Sequence, residues 1–117
     1  MLKTLTISIL ALGAATTAIS AVDTRIVTAE ERAAREQEAL IIRAPIGGFE
    51  NRFWFNYRAN INEARKELVN DLRSDDTVKD VRQSWDEYRG ELSHERVHYV
   101  KEMAERGVRY GTVSVGY

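Results

Sequence analysis

His94-Glu95-Arg96-Val97-His98 is the stretch of the chain whose residue types and spacing could carry metal chemistry. Four residues apart on a helix, two imidazoles lie one turn from each other on the same face, close enough to share a zinc ion. A carboxylate directly after the first imidazole could then take a proton from a metal-bound water, which would make Glu95 the catalytic base. The chain has 2 histidines, and both are in this turn. A zinc-dependent hydrolytic or metal-binding centre, with His94 and His98 as ligands and Glu95 as catalytic residue, is therefore one expectation.

Over these residues the chain resembles the zincin metallopeptidases, and the resemblance implies a zinc cofactor and peptide hydrolysis. It stops at the turn itself. Arg96 puts a charge between the histidines where that family carries an uncharged residue. A third protein ligand is also needed, and Glu102, eight residues after His94, sits about 12 Å further along the same helix, out of reach of an ion held by both imidazoles. Those enzymes lay substrate against a sheet edge, whereas the segments before the motif read here as helices. Around a helix the two histidines fall roughly 110° to 150° from the middle of the apolar stripe, on the side that faces water. The favoured expectation is thus two solvated histidines and no cofactor, with Glu91, Glu95 and Glu102 as the nearby oxygen donors for any metal that binds.

A second group of residues points to binding rather than catalysis. Phe49, Phe53, Trp54, Phe55 and Tyr57 put five aromatics in nine residues, more than one helical face can bury. Phe49, Phe53, Trp54 and Phe55 are accordingly the candidate interaction surface, together with Tyr117 at the end of an alternating tail suited to pairing with a partner's sheet.

Three helices must position these residues. Thr28 and Glu31 have capping-box spacing ahead of strong helix formers, which predicts helix one over 29–43, ended by Pro45 and the Gly47-Gly48 pair. Trp54, Tyr57, Ile61, Ala64, Leu68 and Leu72 recur at three- and four-residue steps and predict helix two over 51–73. Thr77 and Asp80 cap a third, over 77–106, with Val78, Val81, Trp85, Tyr88, Leu92, Tyr99 and Met103 as its stripe, broken at Glu95, and Gly107 beyond its end. Counting outward from the turn sets Tyr57 opposite Leu92 and Ala64 opposite Trp85. Helix three then outruns helix two, so helix one, with Leu40, Ile41 and Ile42, is expected to cover Val97 to Met103. The fold class this describes is all-α: a three-helix domain built on a long antiparallel helical hairpin, with a short extended tail over 108–117.

The N-terminus places that domain. Lys3, an uncharged stretch from Leu5 to Ile19, and small Ser20 and Ala21 before Asp23 have signal-peptide order, with cleavage after Ser20 or Ala21. Removing 1–21 leaves one small domain over 22–117 and no membrane span, since the apolar stretch is shorter than the ~20 residues a span needs. The chain of 117 residues contains 0 cysteines, so packing rather than disulfides must stabilise it. Its net charge of -1, with 17 basic residues against 18 acidic, argues against nucleic acid as partner. The reading is a small exported helical interaction module, periplasmic or secreted, that binds a protein or an envelope component and is compatible with self-association.

Overall fold

The computed structural model describes residues 26–111; the proposed export segment, and Tyr117 with the outer part of the tail, lie outside the described residues. The described chain is all-helical: α1 (Ala29–Ala39), a single 3-10 turn (Ile46–Gly48), α2 (Arg52–Ser74) and α3 (Val78–Glu105). Each helix starts on a side-chain cap. Thr28 Oγ1 accepts from the Glu31 N–H at 3.0 Å, and Thr77 Oγ1 from the Asp80 N–H at 3.0 Å. Asn51 Oδ1 accepts from both Phe53 and Trp54 N–H at 3.1 Å. Each such cap supplies a partner to amide groups that the helix itself leaves bare, worth about 1 kcal/mol. Gly107, in the left-handed region at φ 84, closes α3, as its place in the sequence suggests.

Helix α1 is shorter than the spacing predicts, ending at Ala39 rather than Arg43. The cause is tertiary. In a longer helix the Ile42 N–H would bond to the Glu38 carbonyl, but here it donates to Tyr57 Oη at 2.9 Å, and Ile42 is buried against the core. Beyond it, the Ile46 N–H donates to Tyr99 Oη at 2.9 Å. The segment 40–46 therefore trades helical bonds for two phenol oxygens and runs extended into the corner.

Helix α3 is the central element, with α1 and α2 each packed against it. Contacts of α2 with α3 are antiparallel: Asn51 meets Met103 at one end, Asn60 meets Glu95 in the middle, and Asp75 accepts from Ser84 near the turn. Helix α1 runs parallel to the first half of α3, with Glu30 on Arg82, Arg35 over the Trp85 ring at 4.7 Å, and Glu38 on Tyr88. The expected seam slips along its length: Tyr57 stacks on Tyr99, with ring centroids 4.9 Å apart, two turns beyond Leu92. With Asn51 level with Met103, α3 scarcely outruns α2. Helix one reaches the second half of α3 through Gln37 on Arg96, but Tyr99, beyond it, is met by Ile46 of the extended segment rather than by a continued helix one, and Leu40 is exposed.

Helix α3 carries one glycine in its interior, Gly90, off the buried stripe, where an added Cβ would meet nothing within 4 Å. Alanine has the lower conformational entropy cost in a helix interior, so Gly90→Ala is expected to raise stability by about 1 kcal/mol, measured as an upward shift of the urea midpoint at constant slope.

The α1–α3 contact carries its own pH dependence. The Tyr88 hydroxyl donates to Glu38 Oε2 at 2.6 Å. Burial, followed by that bond and the carboxylate's field, pushes the Tyr88 phenol up to about 12, against the opposing effect of Arg65. Burial also opposes ionisation of Glu38, but hydrogen bonds from Tyr88 and Arg35, with the fields of Arg35 and Arg65, outweigh it and hold its carboxyl below the usual range. A raised phenol stabilises the fold fully below pH 10.0, its unfolded value, and that contribution is lost as pH rises through about 12. The lowered carboxyl contributes above 4.5 and is lost as pH falls through its folded value. Urea midpoints between pH 10 and 12 should therefore fall more steeply for the native chain than for Tyr88→Phe. Tyr57 and Tyr99, also raised by burial, remain in both, and equal slopes would contradict the assignment.

Candidate functional site

The turn at 94–98 sits in the second half of α3, and successive residues in it face different neighbours because each is rotated about 100° from the last. His94 and His98 lie on the exposed side, their rings nearly parallel at 10° with centroids 6.4 Å apart. Glu95 turns inward: it is only 9% exposed and accepts from Asn60 Nδ2 of α2 at 2.9 Å. Arg96 turns toward α1 and donates to Gln37 Oε1. His98 Nε2 is 3.9 Å from Glu102 Oε2, the next carboxylate along the helix. Among the described residues no three or more His, Asp or Glu side chains are grouped so as to hold a metal ion. The carboxylate of the zinc-like turn is thus bonded across the helix seam, while the two imidazoles face water.

Glu95 and His98 do share a cleft of about 230 Å³ between α2 and α3, lined also by Arg52, Phe53, Asn56 and Asn60. His94 is not part of it. What the cleft brings together is one buried carboxylate, one imidazole, one guanidinium and two carboxamides. A buried polar residue in an apolar stripe needs a partner, and Asn60 supplies it.

The aromatic cluster divides by face. Trp54 is 5% exposed, packed near Tyr57 and Tyr99 with centroids 6.2 and 5.9 Å away, and so is core rather than the interaction surface its sequence neighbours suggest. It begins the buried stripe of α2, and a residue in register with Ile61 and Leu68 cannot face water. Phe53 is half-buried, with the guanidinium groups of Arg52 and Arg106 over its ring at 4.8 and 4.0 Å. Phe49 and Phe55 remain outside, 54% and 49% exposed. Tyr117 lies outside the described residues.

A further cleft, of about 440 Å³, escapes a reading of the sequence. It opens between the extended segment Ile41–Arg43 and the flank of α2, with Arg43, Arg58, Asn62 and Arg65 around Trp54, Tyr57 and Ile61. Arg58, Asn62 and Arg65 stand at i, i+4 and i+7, a polar stripe beside the apolar one, which is the signal in the sequence that points to it. Arg43 joins them only because residues 40–46 fold back along the helix.

No protein-family model, curated protein or solved structure matches the chain, which leaves the chemistry of these side chains as the ground for a functional reading.

Proposed function

We propose that the chain is a small exported helical binding module that docks a protein or an envelope component through the corner before α2, and performs no covalent chemistry. The observation that carries this reading is the exposure of two large apolar rings, Phe49 at 54% and Phe55 at 49%, at the corner that leads into α2. Gly47 and Gly48 have φ of 65 and 79, and the Phe49 ring lies 3.1 Å from where a Gly47 Cβ would stand. Exposed apolar rings that lie together form the kind of patch through which proteins bind partners. Export rests on the order Lys3, Leu5 to Ile19, Ser20-Ala21, with the helical domain following removal of 1–21.

Expressed in a bacterium with two membranes, the full chain is expected to reach the periplasm with Ala21 or Val22 as its first residue, read by intact mass. Purified from there, it should co-sediment with one envelope fraction: membranes, cell-wall fragments or a complex of exported proteins. Phe49→Ser/Phe55→Ser should remain in the supernatant while melting at the native temperature, since both rings are exposed. A native protein that stays in the supernatant with every fraction, or a double variant that sediments equally, would overturn the reading.

A further inference from the structure

Four arginines of the described chain are ion-paired: Arg35 with Glu31 and Glu38, Arg82 with Glu30, Arg89 with Asp86 and Arg106 with Glu102, all within 3.5 Å. Arg43, Arg58 and Arg65 are instead gathered along one cleft that contains no acidic residue in its wall. Among the described residues no ion pair engages any of the three. Like charges gathered in one concavity repel, and a low-dielectric floor strengthens the repulsion.

Five acids, Glu67, Asp71, Asp86, Glu87 and Glu91, line with Arg89 a separate groove of about 470 Å³ between α2 and α3. In a chain of net charge -1, the cleft of Arg43, Arg58 and Arg65 is thus locally cationic. One of the three is also seated against the aromatic wall: the Arg58 guanidinium lies 5.6 Å from the Trp54 ring centroid, while Arg65 lies within the field of Glu38. Arg96 adds positive potential at Tyr57, on the cleft floor. Arg43 comes from the extended segment that Tyr57 and Tyr99 tie down.

We propose that the cleft framed by Arg43, Arg58 and Arg65 binds the phosphate group of a small phosphorylated molecule. Guanidinium forks match the paired oxygens of phosphate, and a phosphate monoester brings about -1.5 to -2 charge to a site of three cations, where a carboxylate brings half as much. Asn62 supplies a neutral donor at the rim. The volume of about 440 Å³ falls within the range of small-ligand sites, so an organic body of modest size fits beside the phosphate. The site is separate from the corner at Phe49.

The test uses the full mature chain and four probes: inorganic phosphate, phenyl phosphate and benzoate by calorimetry, and sedimentation with phosphatidylglycerol against phosphatidylcholine vesicles. Saturable, salt-weakened binding of phenyl phosphate is the expected result, with affinity falling about tenfold or more for each arginine removed. Arg43→Gln and Arg58→Gln are the informative variants, because both side chains are exposed and neither braces another helix; Arg89→Gln, whose partner is Asp86, should bind as the native chain does. Binding confined to phosphatidylglycerol vesicles, with the same loss in the variants, would support the site and assign its phosphate to a lipid headgroup. Binding of benzoate as tight as that of phenyl phosphate would overturn the phosphate assignment. So would unchanged affinity in Arg43→Gln/Arg58→Gln, no saturable binding of any probe, or a sedimentation change in that variant without phosphate binding, which would mean that the arginines join two copies of the chain.

Discussion

Tyr99→Ala is expected to abolish the folded state at ordinary temperature. Tyr99 is 1% exposed and joins three parts of the molecule: it stacks on Tyr57 of α2 at 4.9 Å, lies 5.9 Å from Trp54, and receives the Ile46 N–H of the extended segment at 2.9 Å. Truncating a buried aromatic costs about 3–5 kcal/mol, against a total of about 5–15 for most domains and less for one this small. The far-ultraviolet circular dichroism melt should lose its cooperative transition or begin near room temperature. Tyr99→Phe separates the two parts of the effect. It keeps the ring contacts but leaves the Ile46 N–H buried without an acceptor, at about 1–3 kcal/mol. A Tyr99→Ala protein that melts within a few degrees of the native one would mean that the three-way junction does not hold the corner together.

The second large effect lies on the same corner. Gly47 has φ 65, and a Cβ added there would stand 2.7 Å from Val108 Cγ1, closer than side chains approach one another. Gly47→Ala therefore combines backbone strain of about 1–2 kcal/mol with overpacking of about 1–3. Gly48 has φ 79, but its added Cβ would meet nothing within 4 Å, so Gly48→Ala should cost the strain alone. Denaturant midpoints for the two variants isolate the Val108 contact, and Gly47→Ala/Val108→Ala should recover part of the loss. Equal destabilisation by the two single substitutions would show that Val108 gives way freely. Since Phe49 packs beside Gly47, any binding that needs Phe49 should suffer more in Gly47→Ala than in Gly48→Ala.

Local chemistry made the helices readable. Thr28 and Thr77 are short polar residues directly ahead of regular apolar spacing, and each is found capping a helix; Asn51, which the spacing puts inside helix two, caps it instead. The buried residues of α2, Trp54, Tyr57, Ile61, Ala64 and Leu68, are all among those the periodicity selects, and Leu72, the last of that series, is partly buried. The same periodicity could not set how far one stripe slides along the other. A seam shifted by seven residues keeps every side chain on its face, so Tyr57 opposite Tyr99 satisfies the pattern as well as Tyr57 opposite Leu92. The end of α1 was hidden for another reason: the acceptor that draws Ile42 out of the helix is a phenol fifteen residues away. At the candidate sites, the inward turn of Glu95 follows from its place in the α3 stripe, but its partner Asn60 does not. The arginine cleft was legible by half, through Arg58 and Arg65 on one helix flank.

The placement of α1 bears on the order in which the chain can assemble. Its packing surface is on α3, the last of the described helices to be synthesised, and Ala34 is the one residue of α1 that is fully buried. While the chain emerges N-terminus first, α1 has nothing to dock on until residues as late as Arg82 to Arg96 are present. The α2–α3 hairpin, by contrast, closes across a connection of a few residues and carries most of the aromatic packing, so it can form without α1. A nascent copy that has not yet added α3 is therefore kept open by topology alone. In the finished molecule the amides of α1 should be the first of the three helices to exchange with solvent.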